Sequence, residues 1–330
     1  MRLILNIVFL LSALSCSAQV LRQRAVRLMG SRFDITIVSN DSSTAEAYID
    51  TVVAEVTRIE NLISDWRPQT QISEVNRNAG IRPVKVDREV FELTERALYL
   101  SKLTNGAFDI SFAAMDRIWK FDGSMSEMPP TEAIKRSVEK IGYGNILLDK
   151  NNSTIFLKKE GMKIGFGALG EGYAADKCRE IMIKKGVMAG IVNGSGDMSS
   201  WGRHPSGDAW KIGVTNPIDN NELFVILSLD NEAAVTSGSY EKYVVFNGKR
   251  YSHIINPKTG YPAHGLSSVT ILGPSAEFAN GLSTSIMVLG KKKGLKLLKA
   301  YPSYRGILVD DKGRVSGTRN LGIDLAERVN

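Results

Sequence analysis

From residue 33 the chain alternates apolar and polar positions. FDITIVS (33–39) therefore reads as a strand with one buried side. The spacing then changes. In SSTAEAYIDTVVAEVTRIENLIS, residues Ile49, Val52, Val53, Val56, Ile59 and Ile63 fall on one face of a helix. Ser43 and Glu46, three apart, form the expected capping box. A second helix is predicted over 88–104, with Asp87 as its cap and Asn105-Gly106 as its stop. A third is expected near 131–141, bounded by Pro129-Pro130 and Gly142.

The second half mixes the two spacings less regularly. MKIGFG (162–167) reads as a strand feeding the helix of EGYAADKCREIMIKKG, which stops at Gly186. Strands are expected over 190–193, 210–216 and 224–229. YVVF-NG-KRYSHII reads as a hairpin, because Asn247-Gly248 takes the positive φ angles that a two-residue turn requires. SSVTIL is a further strand, AEFANGLSTSIMVLG a helix, and RGILV-DDKG-RVSG a closing hairpin. No regular strand–helix alternation runs through the chain, and no repeat or long linker divides it. The expected class is α+β: a single compact domain over 19–330, with a largely antiparallel mixed sheet flanked by helices.

The N-terminus breaks the pattern. Arg2 precedes an apolar run from Leu3 to Leu14, and small residues follow. That is the layout of a secretory signal peptide over 1–18, and the run is too short to span a bilayer comfortably. A boundary before Cys16 would instead make that residue a lipidated first residue. The expected location is exported, periplasmic, with membrane anchoring if Cys16 is lipidated. Cys178, expected to be buried in a helix, is then the one cysteine certain to remain, so no internal disulfide is expected.

Of the 330 residues 43% are apolar and 23% charged, and the formal net charge is +7. Apart from the Lys291–Lys293 run, which reads as a solvated helix start, the basic residues are dispersed. No recognition helix, zinc finger or aromatic-basic platform argues for nucleic acid. The mild basic excess suits an anionic small ligand or an anionic membrane surface.

Four stretches could carry chemistry. GFGALGEGYAAD (165–176) crowds glycines at a helix start, where bare N–H groups suit a pyrophosphate; an ordinary tight turn has the same spacing. In IVNGSGDMSSWG (191–202), Asn193 and Asp197 flank glycines at a strand end. In RYSHIINPKTGYPA (250–263), His253 follows a hairpin strand, and Pro257 and Gly260 fix the turn after it. A neutral imidazole there could take a proton from a hydroxyl, or merely bond its own turn. In AEFANGLSTS (276–285), Asn280 and Thr284 share a helix face. With Ser283 they offer three side-chain oxygens to a hard cation such as Mg²⁺, or form a polar first turn. No G-x-S-x-G elbow accompanies His253, which argues against a hydrolase triad.

Taken in order, MGSRFDITI, ISDWRPQTQISEVN, GAFDIS, GFGALGEGYAAD, IVNGSGD, TSGSYEKY, YSHIINPKTGYP and AEFANGLSTSIMVLG resemble the ApbE flavin transferases, the FAD:protein FMN transferases. The resemblance spans nearly the whole mature chain. It implies an exported, Mg²⁺-dependent enzyme that moves the FMN moiety of FAD onto a Thr or Ser hydroxyl of an exported redox protein, releasing AMP. It places FAD contacts on Met29, Trp66, Ala107, Phe108, Asp109, Gly167, Tyr173 and Ile255. It places the metal on the Gly170 carbonyl, Asn280, Ser283 and Thr284, and makes His253 the general base. Many members carry Asp at the positions of Asn256 and Asn280, and some carry Lys at that of Glu171. Loss of the charge at 280 implies weaker metal binding, and keeps two alternatives in view: an FAD-binding protein without transfer chemistry, and an FAD pyrophosphatase.

Overall fold

Two nine-residue strands, β1 (Val20–Leu28) and β2 (Ser31–Ser39), pair as a hairpin at one edge of an eight-stranded sheet. The sheet continues through β3 (Ala189–Gly194), β4 (Asp197–Trp201), β5 (Ala233–Gly238), β6 (Leu266–Gly273), β7 (Arg305–Asp310) and β8 (Val315–Gly317). Its spatial order follows the chain, and every neighbouring pair is antiparallel. This computed structural model describes residues 19–217, 222–240 and 242–321. The expected leader over 1–18, with Cys16, lies outside the described residues.

Seven helices are described: α1 (Ser42–Ile63), α2 (Gln71–Arg77), α3 (Arg88–Leu103), α4 (Thr131–Ser137), α5 (Gly170–Lys184), α6 (Ala276–Leu289) and α7 (Lys291–Lys299). Helices α1, α5 and α6 pack on one face of the sheet. The alternation seen in the sequence decides which side chains meet them. Phe33, Ile35, Ile37, Val235, Val269 and Ile271 face the helices, with Ile49, Val52, Val56 and Ile59 of α1 opposite the first three. Val38, Ala234, Leu272, Ile307 and Val309 face the other way, under a hairpin of strands Trp210–Thr215 and Leu223–Leu229. With both faces covered, β6 is buried at all eight positions. Each fully buried Ile or Val contributes about 1.5–3 kcal/mol. Among the described residues no helix is long and apolar enough to cross a membrane.

Several local expectations change. MKIGFG is not a strand. Ile164 exchanges both backbone hydrogen bonds with the Asn76 side chain, and Gly165 N–H donates to the Ile110 carbonyl, so side-chain and loop partners replace a ladder. Helix α1 is capped by Asp41, whose carboxylate accepts from Thr44 N–H at 2.8 Å, rather than by a Ser43–Glu46 box. Asp87 occupies the cap position of α3 without a side-chain capping bond. Strands β1, β4 and β5 carry no strong alternation, and their pairing comes from the sheet around them. A small sheet, Val84–Lys85 with Thr154–Leu157 and Ile146–Asp149, was likewise not expected. Asn247 and Gly248 do take positive φ, 50° and 74°, between strands Tyr243–Phe246 and Lys249–Ser252. Cys178 is fully buried in α5, and burial pushes its thiol up.

Candidate active site

Helix α6 starts on a carboxylate from another helix. Asp176, near the middle of α5, accepts from the N–H groups of Ala276 and Glu277 and from the Ser275 hydroxyl, at 3.0, 3.0 and 2.7 Å. It also accepts from Ser199 of β4 at 2.9 Å. One anion thus satisfies orphan donors at the α6 N-terminus and fixes α5, α6 and β4 together. The close approach of the two helices requires Gly172: a Cβ there would lie 2.7 Å from the Ala276 carbonyl oxygen.

One turn into α6 three of the four expected cation ligands come together, while Gly170 lies against Met29 and Ile63. Asn280, Ser283 and Thr284 lie beside Ser237 of β5 and Asp197 of β4. Ser283 Oγ is 2.8 Å from Ser237 Oγ, and Thr284 Oγ1 is 3.3 Å from Asn280 Oδ1. The Asn280 amide donates to the Asp197 carboxylate. A carboxylate only accepts, so this contact turns the amide nitrogen toward Asp197 and leaves Oδ1 on the Thr284 side. Asn280 and Asp197 are both buried. This all-oxygen set with one buried carboxylate fits a hard cation. Among the described residues no group of three or more His, Cys, Asp or Glu side chains gathers at one point, so any cation here relies on neutral oxygens. Ser237 and the Asp197 contact are the parts that sequence reading missed.

Gly170 opens α5 and packs against Met29, which sits at positive φ (52°) in the β1–β2 turn. Its neighbour Glu171 is held above the usual carboxyl range by burial, opposed by Ser31 and the charge of Lys242. Gly167 is exposed, has no positive φ, and a Cβ there would meet nothing within 4 Å. Nothing within the protein demands glycine at 167.

His253 follows the Lys249–Ser252 strand. Its N–H donates to the Lys242 carbonyl at 2.9 Å, and its Nδ1 lies 3.2 Å from the same oxygen. A carbonyl can only accept, so Nδ1 carries the proton of the neutral ring and Nε2 keeps its lone pair. Burial pushes the imidazole below its ordinary value, and the Lys242 charge acts in the same direction; the carbonyl contact opposes both. The Asn-Pro-Lys-Thr-Gly turn that follows is closed by Asn256, whose Oδ1 accepts from Lys258 N–H and whose carbonyl accepts from Gly260 N–H.

The remaining expected flavin contacts divide into open and enclosed positions. Trp66 is 70% exposed, and the Arg117 guanidinium lies 3.9 Å from its ring centroid. Phe108 and Tyr173 are in the core, and Tyr173 donates to Glu89 at 2.7 Å. Asp109 accepts from Ser111 N–H and Oγ and from Tyr143 N–H, so it braces a turn; burial pushes its carboxyl up. Ala107 and Ile255 are buried, Ile255 pairing with Pro262 across the turn. The side chains of Asp109 and Tyr173 are thus held by partners within the protein. Ala107 also borders a cavity of about 500 Å³ together with Asn256, Lys258 and Val288.

Comparison with known proteins identifies this arrangement. The profile of the ApbE family matches residues 29–308, from the β1–β2 turn into β7. This chain belongs to the ApbE family. An FAD:protein FMN transferase of Klebsiella pneumoniae is 29% identical over 279 residues, 83% of this chain and 80% of its own. A Treponema pallidum protein of the same name is 27% identical, covering 90% of this chain and 87% of its own. The crystal structure of the ApbE protein of Thermotoga maritima superposes with a TM-score of 0.82 at 29% identity, over 91% of this chain and 97% of that one. The apo flavinyl transferase ApbE of Pseudomonas stutzeri gives 0.80 at 26% identity, over 93% and 98%. The eight-stranded sheet with helices on one face is thus the ApbE architecture.

Proposed function

We propose that this chain is a flavin transferase that moves the FMN moiety of FAD onto a Thr or Ser hydroxyl of an exported redox protein, with Mg²⁺ as its cation and AMP as the leaving product. The observation that carries the reading is His253: a neutral imidazole, proton fixed on Nδ1 by the Lys242 carbonyl, with Nε2 left to accept. Neither hydride transfer nor flavin storage has a use for such a group.

The acceptor hydroxyl oxygen attacks the FMN-side phosphorus of FAD, and its proton passes to His253 Nε2. The bond from that phosphorus to the bridging oxygen breaks, AMP departs with the electron pair, and a phosphoester remains on the acceptor. The exposed backbone at Gly167 and the N-terminal turn of α5 would take the pyrophosphate. Trp66 offers its open ring face to a flat π-system. Asn280 Oδ1, Thr284 Oγ1, Ser283 Oγ and the Gly170 carbonyl would hold Mg²⁺, with Asp197 orienting the Asn280 amide. Bound there, the cation would neutralise charge developing between the two phosphates.

An FAD pyrophosphatase would use the same oxygens and release free FMN. The two readings separate when FAD consumption is followed with and without acceptor. Transfer predicts AMP release that depends on acceptor, whereas equal AMP release in both would favour hydrolysis. Export rests on the charged-then-apolar leader, with lipidation of Cys16 as the anchored form. N-terminal sequencing of the protein made in its own host would show residues 1–15 removed; an intact Met1 on cytoplasmic protein would overturn it.

A further inference from the structure

Between Met115 and Pro130 the chain has no regular secondary structure, and within it Arg117, Trp119 and Phe121 alternate with other residues. Each of the three meets a different part of the site. The Arg117 guanidinium stacks on Trp66 at 3.9 Å. Trp119 is buried, lies 6.1 Å from the Tyr251 ring at 22°, and donates from Nε1 to the Gly260 carbonyl at 2.9 Å. Phe121 stacks on Trp119 at 6.5 Å and meets the His253 imidazole edge-on, 6.4 Å between centroids at 77°.

We propose that Arg117 and Phe121 are positioning residues for the two ends of the site, Phe121 for the His253 imidazole and Arg117 for the Trp66 indole, with Trp119 as the anchor that sets their spacing. What the two positioned groups do rests on the transfer reading above; what holds them rests on geometry alone. Core packing accounts for Trp119, which joins Ile134, Val244, Phe246 and Ile255 in one apolar cluster. It does not account for Arg117, an exposed residue laid on an exposed ring. Phe121 packs on the rim of the same cluster and from there reaches the His253 ring. His253 is tied on its Nδ1 side to one carbonyl, and the Phe121 edge restrains the ring and shields it from water. The charged group acting on the imidazole is Lys242, which in turn faces Glu171 of α5.

The test uses the mature chain with Phe121→Leu, Phe121→Ala and Arg117→Ala, each checked by its melting curve. Transfer is measured as a function of FAD concentration, and His253 is titrated by histidine NMR without FAD, its signals assigned with His253→Ala. Both Phe121 variants should lower kcat about tenfold with the FAD KM unchanged. Phe121→Ala should also move the His253 titration upward, as water reaches the ring. Arg117→Ala should raise the FAD KM about threefold, leaving kcat and the His253 titration as in the parent. Phe121→Leu keeps the apolar volume and carries the test if the Ala variant unfolds. Parental kcat in folded Phe121→Leu overturns the assignment of Phe121; an unchanged FAD KM in Arg117→Ala, whatever its kcat, overturns that of Arg117. If the parent itself transfers no FMN, the transfer reading fails, while the titration still decides whether Phe121 shields His253, and an unchanged titration then overturns it.

Discussion

The Asn280 amide donates to the Asp197 carboxylate, so the polar end of α6 already has a buried anion beside it. This changes what a carboxylate at 280 would do. Asn280→Asp places two carboxylates in contact, and one must take up a proton or a cation. Without metal the variant should be destabilised, by about 1–3 kcal/mol, through the lost donor and like-charge repulsion. Mg²⁺ should restore the loss and act at lower concentration than in the parent. Melting curves across a Mg²⁺ titration check this. A loss of stability that Mg²⁺ does not restore would remove Asn280 from any cation site.

His253→Ala should leave FAD affinity within about twofold of the parent and lower transfer by about 10²–10⁴, the usual worth of a general base. The pH profile follows from the direction of its shift. Burial holds the imidazole below its ordinary value of 6.5, so transfer should rise with pH along a limb below 6.5 and be level above it. A limb above 6.5 in kcat/KM would contradict a lowered imidazole, and affinity lost together with transfer would show that His253 binds FAD rather than acting on the hydroxyl.

Trp66→Ala should weaken FAD binding by about 1–3 kcal/mol, because an open aromatic face is removed. Fluorescence titration with FAD measures it. Unchanged affinity would place the flavin elsewhere.

Asp176→Ala should act at a distance from the chemistry. It removes the acceptor of four hydrogen bonds, two from the first backbone N–H groups of α6. Loss of a cap alone costs about 0.5–2 kcal/mol, and the Ser199 link adds to it. Thermal unfolding should show a loss of about 2 kcal/mol, and transfer should need more Mg²⁺, since α6 carries Asn280, Ser283 and Thr284. Parental stability would mean that α6 is held by packing alone.

Strong local periodicity made α1, α3, α5 and α6 legible, and Asn247-Gly248 announced its hairpin. Strands β4 and β5 were not legible, because DMSSW and AAVTSG carry little apolar alternation and pair with each other across more than thirty residues of chain. The reading of 162–167 as a strand failed for a related reason. An apolar hexapeptide fits a ladder, but here Asn76 from α2 takes its backbone bonds. At the site, residue types at motif positions pointed to Asn280, Thr284 and His253. Their supports were hidden. Asp176 lay inside a quoted motif but looks like any helix residue, and Phe121 looks like any core aromatic. Only the three-dimensional arrangement shows Asp176 under α6 and Phe121 against His253.

The central claim is that FMN passes intact from FAD to a hydroxyl of another protein with His253 as base. The most direct measurement is mass spectrometry of an exported acceptor after incubation with the mature chain, FAD and Mg²⁺, with AMP followed in parallel. The account predicts FMN joined to a Thr or Ser through phosphate, one AMP per modification, and neither product with His253→Ala. Free FMN with unmodified acceptor, or equal modification by the His253→Ala variant, would contradict it.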